Sequence, residues 1–531
     1  MMKKVIKKLL AALLAVAMVC AMAIPAFAYN PGETEEDLNT KHDYGAFQIF
    51  TGDVSEDNKK ISNVAWGKNI TEPDIFLDNL KLDSTIGNQF SNAKTAQDVL
   101  MVISTWHDSD DDSIAFARFV CKYLYPTADA KPEPVDTGHT GGFEIRKPGY
   151  YLIVDTSPFS EGDFYHAYNS FLLKVTKAPY HVIIKHKVVK PTVEKEVYDN
   201  NDIGSTGGWG SSADHAINEP FQFRLIAKLP ASKDNGRAYD YYDKYTVCFN
   251  DTLSAGITFD NLDKVEIANV DGGDPKEITD YTLVKDLHEA GLPSSFKLSI
   301  DDVKTAGLNL NDGATITVTY TAHLNEKAYV NTAGGGTDNK NSVYLEYSNN
   351  PRISTSLDHT PESEVCVYTY QLNNTKRQNT EDGPVLEGAG FRLYSNDACN
   401  DEDEIKLKKN TTDGTYSPYF GADAGDEMFS DEHGQFNVKG LDAGTYYLKE
   451  TKTPADYNPC GVTPVTITAN HTKDHVDLSG NLSTTIINKK AGGITLPSTG
   501  GIGTTIFYVV GGGLMVAAIV LLVTKKRMEN K

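Results

Sequence analysis

From His42 to Lys490 the chain is written mostly as short alternations of apolar and polar residues, punctuated by turn formers. "HDYGAFQIF", "PGYYLIVDTS" and "NSFLLKV" carry this period of two in the first part, and it predicts half-buried strands. The middle part repeats it in "FQFRLIA", "KYTVCFND", "KVEIANV", "FKLSI", "ATITVTYTAHL" and "NSVYLEYSN". The last part does so in "VCVYTYQL", "GAGFRLYS", "GTYYLKET", "VTPVTITAN" and "TTIINKK". One segment breaks the pattern. "DSDDDSIAFARFVCKYL" places apolar residues at helical spacing, and Asp108 to Asp112 crowd its start, where the helix dipole favours negative charge. It lacks the glycine and distal glutamate of an EF-hand loop, so it reads as a helix start and not as a calcium site. The expected fold is mainly β, with a mixed, mostly β N-terminal domain followed by tandem Ig-like sandwiches.

The two ends have a different character. Lys3, Lys4, Lys7 and Lys8 precede an apolar stretch that finishes on Ala26-Phe27-Ala28, the pattern of a secretory leader cleaved between Ala28 and Tyr29. At the other end Ile502 to Thr524 has no charged residue, a run about 20 residues long that suits a membrane-spanning helix. Lys525, Lys526 and Arg527 follow as a cytoplasmic flank. Directly before this run stands Leu496-Pro497-Ser498-Thr499-Gly500. It fits the LPxTG signal of sortase substrates in Gram-positive bacteria. That likeness implies attack by a sortase cysteine on the Thr499–Gly500 bond and transfer of Thr499 to an amine. The membrane segment is then a temporary tether.

Charge and cysteines narrow the choice. The formal net charge is −22, and the leader and tail that are cut away are both basic, so the mature part is more acidic still. Such a field disfavours nucleic acid as a partner. Residues 29–499 are too long for one core and suggest about three domains. The mature cysteines (Cys121, Cys248, Cys366, Cys399 and Cys460) are odd in number and scattered, so neither a disulfide lattice nor a zinc site is expected. No Gly-x-Ser-x-Gly, HExxH or phosphate loop appears, and the expectation is a protein that is not an enzyme and has no cofactor or metal.

Several polar residues face the wrong way. Side chains two apart on a strand share a face. Lys195 shares parity with Val193 and Val197, Asp251 with Val247 and Leu253, and Asn349 with Leu345 and Tyr347. Asn341 has the same parity as Asn349 and is the alternative. In the last part Lys376 falls in with Tyr370 and Leu372, Glu450 with Tyr446 and Leu448, and Asn488 with Ile486. A buried lysine or carboxylate costs several kcal/mol unless paired. Burial also makes the amine neutral and nucleophilic and keeps the acid protonated. Two such sets in the same order suggest intramolecular amide bonds, with Asp251 and Glu450 as promoting acids that polarise the asparagine carbonyl.

A family resemblance supports this reading. "YYLKETKTPADYN" resembles the E-box of CnaB-type isopeptide domains, with Glu450 at the glutamate and Asp456 where the family has glycine. "PTVEKEV", "DTLSAGITF" and "YLEYSNNP" resemble the CnaA-like middle domain of shaft pilins. The full layout is similar to the SpaA-type major (shaft) pilin of sortase-assembled Gram-positive pili. "AFQIFTGDVSEDNKKISNVAWG" is similar to that family's N-terminal domain. The resemblance implies that a pilin-motif lysine accepts Thr499 of another copy. Within "VIIKHKVVKPTVEKEV" Lys187 takes that position, with Lys185 and Lys190 as alternatives, and His186 stands where proline is usual.

The domains expected are a leader over 1–28, an N-terminal pilin domain over 29–189, a CnaA-like domain over 190–358 and a CnaB-type domain over 359–490. A linker and sorting motif over 491–500 and a membrane segment with basic tail over 501–531 complete the chain. The implied partners are pilus-specific and housekeeping sortases, other copies of the chain, tip and base minor pilins, and peptidoglycan. The implied location is the cell wall and fimbrium, after transient membrane anchoring. The alternative is a wall-anchored adhesin or stalk that does not polymerise.

Overall fold

The computed structural model describes residues 43–492 apart from 57–60, 108–110, 128–129, 140–141, 158–169, 183–189, 201–207, 230–238, 240–241, 271–272, 286–294, 307, 309, 311–312, 332–338 and 481, together with 514–515, 518–520 and 525. The leader cleavage site, Lys185, Lys187 and the Leu496–Gly500 motif lie outside the described residues. Among the described residues no helix is long and apolar enough to cross a membrane. Most of the apolar run over 502–524 falls outside them.

The first domain is built on a mixed plan. Strand Asp43–Val54 pairs antiparallel with Ile61–Trp66 on one side and with Gly149–Asp155 on the other, and Ser170–Val175 extends the sheet. Helices Pro73–Leu82, Ala96–Ile103 and Asp111–Leu124 cover one face, and Phe47, Phe76, Phe90, Phe116 and Leu152 form the core between. The third helix is the one that the periodicity predicts. The first two are additional, and both begin on recognisable local chemistry. Proline sits in the first turn of Pro73–Leu82. Thr95 and Asp98 form a reciprocal capping box at the start of Ala96–Ile103.

The second domain is a sandwich of two sheets. In one, Thr192–Asp199 pairs with Pro220–Lys228, which pairs in turn with Ala314–Leu324. In the other, Val247–Leu253 lies between Ser295–Ile300 and Lys340–Ser348. The inward rows meet in a core that includes Phe223, Val318, Phe249 and Leu345. The third domain repeats the idea. Its first strand, Tyr370–Gln378, runs parallel to its last, Ser483–Asn488, and Phe391 stacks on Phe436 in the core, with ring centroids 4.4 Å apart.

The two sandwiches share a strand. Ser363–Tyr368 pairs within the second domain's sheet, beside Lys340–Ser348 and Ser212–Asp214. Its alternation sends Val365 and Val367 into the second core and Cys366 and Tyr368 into the third. The chain therefore passes from one sandwich to the next at Thr369, later than the boundary between 358 and 359 expected from the sequence. The pattern of alternation alone cannot reveal this, because a strand with both faces buried belongs to two cores at once.

Candidate functional site

The polar side chains that alternation turns inward are buried, and in each sandwich the lysine and the acid meet beside an asparagine. In the third domain, parallel pairing of the first and last strands puts Lys376 beside Ile486 and Gln378 beside Asn488. Lys376 Nζ donates to Asn488 Oδ1 and lies 3.5 Å from Glu450 Oε1, both ionisable side chains being wholly shielded from solvent. Asn488 Nδ2 donates to Glu450 Oε1 at 2.7 Å. The acid thus faces the amide nitrogen, where the sequence reading placed it at the carbonyl oxygen. Glu450 is held from behind: its Oε2 accepts from the Cys460 backbone N–H at 2.9 Å and from Thr453 Oγ1 at 3.0 Å. Phe391 supplies an apolar wall, with its ring centroid 5.1 Å from Lys376 Nζ.

The second domain reaches a related arrangement by another route. Lys195 Nζ donates to Asp251 Oδ2, and both side chains are fully buried. Tyr320 stands between the partners. Its hydroxyl accepts from Lys195 Nζ at 3.1 Å, donates to Asp251 Oδ1 at 3.1 Å, and accepts from Asn341 Nδ2 at 2.6 Å. Burial holds the Lys195 ammonium down to about 8, against the pull of Asp251. Burial likewise raises the Asp251 carboxyl above its usual range, against the hydrogen bonds from Lys195 and Tyr320. Both shifts favour a neutral amine beside a neutral acid. Burial, reinforced by the Asp251 charge, pushes the Tyr320 phenol well above its usual range, so it stays protonated.

Asn349 does not join this group. Asp251 is paired with Val343, so Asn341 is its diagonal neighbour while Asn349 lies beyond the far end of the strand. Six residues of strand separate Val343 from Asn349, about 20 Å. Asn349 Oδ1 instead accepts from Ser356 Oγ at 2.8 Å. Asn341 Oδ1 is buried without a hydrogen-bond partner, which leaves that amide carbonyl unsatisfied beside the lysine–acid pair. The correction is one of register. Parity is the same for both asparagines, and only the pairing of Asp251 with Val343 separates them.

Tyr320 is the participant that sequence reasoning missed. It shares its inward parity with Ile316, Val318 and Ala322 and passes for plain core. The available signal was that a buried tyrosine hydroxyl needs a partner. Of the three lysines expected as acceptors only Lys190 is described; it is half-buried just ahead of strand Thr192–Asp199. Cys121, Cys248, Cys366, Cys399 and Cys460 form no disulfide.

Residues 372–481 match the model of the SpaA prealbumin-like fold domain, and residues 488–530 match the LPXTG cell wall anchor motif. No curated protein matches the chain. Similar solved structures include the T6 backbone pilin of serotype M6 Streptococcus pyogenes, at 16% identity over 85% of this chain and 96% of that one, with a TM-score of 0.48. The full-length major pilin SpaD of Corynebacterium diphtheriae is similar at 20% identity over 68% of this chain and 87% of that one, with a TM-score of 0.42. The group B streptococcus pilus 2b backbone protein is similar at 22% identity over 52% and 96%, with a TM-score of 0.38. The chain carries a SpaA-type domain and an LPXTG cell-wall anchor. It is a wall-anchored surface protein and, in its sorting motif, a sortase substrate.

Proposed function

We propose that the chain is the shaft subunit of a covalently polymerised pilus, internally crosslinked in its second and third sandwiches. The observation that carries the reading is the buried Lys376–Glu450–Asn488 set, which joins the first and last strands of the domain next to the anchor. A lysine and a glutamate in a dry core cost more than apolar residues of the same size. Their burial beside an asparagine amide is explained by a reaction that removes both the charge and the amine.

In that reaction Lys376 Nζ attacks the Asn488 amide carbon. Glu450 takes a proton from the attacking nitrogen and passes one to the amide nitrogen it already contacts. The C–N bond to that nitrogen breaks, ammonia leaves, and a Lys–Asn amide remains. No oxidant or cofactor is required, and proximity in a fixed site supplies the drive. In the second domain Lys195 and Asn341 react in the same way, with the proton passing between Asp251 and the amide through the Tyr320 hydroxyl. Each bond ties strands that would otherwise part under load, and restricts the unfolded chain as a long-loop disulfide does.

Polymerisation follows from the two ends. A pilus-specific sortase cleaves Thr499–Gly500 and transfers Thr499 to Lys187 of the next copy, with Lys185 and Lys190 as the alternative acceptors. A housekeeping sortase passes the finished fibre to peptidoglycan, and minor pilins occupy its tip and base. The test is electrophoresis of wall extracts after boiling in detergent. The expected result is a ladder of high-mass species that disappears on lysine-to-alanine substitution at the acceptor. A wild-type protein that runs only as a wall-linked monomer overturns the shaft assignment and leaves a stalk.

A further inference from the structure

The junction between the second and third sandwiches holds a polar cluster that neither crosslink uses. Its members are Asp199, Asp214, His215 and Glu219 from the second sandwich and Asp442 and His471 from the third. They form two trios, Asp199–Asp214–His471 and His215–Glu219–Asp442, and in each trio one ligand atom per residue lies within 4.8 Å of the others. Four carboxylates and two imidazoles gathered in so enclosed a place offer converging ligand atoms, the donor set that a bound cation uses.

His215 shows what kind of cation. Its ring is wholly buried and stacks on Phe221, with centroids 4.1 Å apart and planes 3° from parallel. Nε2 contacts the Tyr198 carbonyl oxygen at 2.8 Å, so the proton must be on that nitrogen. Nδ1 then presents a lone pair. It has no hydrogen-bond partner and faces Glu219 Oε2 at 3.9 Å. A histidine whose far nitrogen donates to a backbone carbonyl while the near one points at carboxylates is oriented as metal-ligating histidines are. The acids are oriented too. Glu219 accepts from Asn200 Nδ2 at 3.1 Å and from the Ala216 backbone N–H at 3.1 Å, and Asp442 Oδ1 accepts from the Ala443 N–H at 2.8 Å.

We propose that His215, Glu219 and Asp442 bind one divalent ion of the zinc or manganese class, clamping the second sandwich to the third. One imidazole nitrogen with carboxylate oxygens suits such an ion, whereas calcium takes oxygen ligands throughout. The sequence spacing hides the site, because Asp442 arrives from the other sandwich.

The test is calorimetric titration of the purified chain over residues 29–499, stripped with a chelator, with zinc chloride, manganese chloride and calcium chloride in turn. Zinc or manganese should bind at one equivalent per chain. His215→Ala and Asp442→Asn should each weaken binding by more than about 100-fold, beyond what loss of an orienting partner costs. His471→Ala should keep it within about 10-fold. An unchanged near-ultraviolet dichroism spectrum checks that each variant is folded, and Asp442→Asn serves if His215→Ala fails that check. Absence of binding to the wild-type chain, binding of calcium alone, or loss of binding in His471→Ala but not in the other two overturns the proposal.

Discussion

Asn341 donates through Nδ2 to the Tyr320 hydroxyl at 2.6 Å, inside a core where neither side chain meets solvent. That hydroxyl also contacts Lys195 and Asp251, so the four side chains form one closed network. The crosslink of the second sandwich is expected to use Asn341. Each amide bond expels one ammonia, so intact wild-type protein should weigh about 34 Da less than its sequence, two bonds' worth. Asn341→Ala should show a deficit of about 17 Da and Asn349→Ala the full deficit. An Asn349→Ala protein lacking one ammonia loss, with Asn341→Ala unaffected, would return the crosslink to Asn349.

Much of this was legible beforehand, and the parts that were not share a cause. Lys195, Asp251, Lys376, Glu450 and Asn488 announce themselves because an alternating strand fixes which face each side chain takes. Parity carries no information about position along the strand, and the choice between Asn341 and Asn349 is a matter of position. It needed the Asp251–Val343 pairing. Tyr320 was hidden for another reason: its ring packs near Phe223, Phe259 and Phe296 as any core aromatic would, and only its hydroxyl is chemically engaged. In the first domain the helices Pro73–Leu82 and Ala96–Ile103 are short, one opened by a proline and the other by a capping box, so periodicity over a long window passes them by.

The Tyr320 hydroxyl is expected to set the rate of bond formation in the second sandwich. Tyr320→Phe keeps the ring and its aromatic contacts while removing the link between Asp251 and the amide. General acid–base assistance of this kind contributes about 100-fold or more. Mass spectrometry at intervals after synthesis should show the third-domain ammonia loss completed promptly and the second-domain loss delayed by that factor. Equal rates for both bonds in the variant would show that Asp251 acts without a relay.

Removing Asn341 should also expose the electrostatic cost that the crosslink conceals. In Asn341→Ala, Lys195 remains a titratable amine whose folded-state value of about 8 lies below its ordinary 10.5. Between these values the unfolded chain binds more protons than the folded one, so stability rises with pH. Asp251 has the opposite shift, upward, so its contribution is present at low pH and declines as pH rises through its folded-state value. Urea midpoints of Asn341→Ala, compared with wild type, should therefore climb from about pH 8 to about pH 10, the window set by Lys195. The crosslinked protein has an amide in place of the amine and should lack that climb. Parallel curves for the two proteins would mean that Lys195 is charged in the folded variant.

The joint between the sandwiches turns on one close approach. Ile217 N–H donates to the Gly440 carbonyl at 2.9 Å, and Gly440 adopts φ +81°, a conformation that side chains rarely tolerate. A Cβ at Gly440 would lie 2.4 Å from Ile217 Cδ1 and 2.8 Å from its Cβ, so the isoleucine could not yield by turning its tip alone. Gly440→Ala should then destabilise the joint through two separable effects, backbone strain of about 1–3 kcal/mol and a steric clash of similar size. Ile217→Gly, which removes the Cβ as well as the tip, relieves the clash but not the strain. In that background the cost of Gly440→Ala should fall by roughly half without vanishing, a coupling that a double-mutant cycle on thermal unfolding measures directly. Additive costs would place the two residues out of contact and detach the sandwiches at this point.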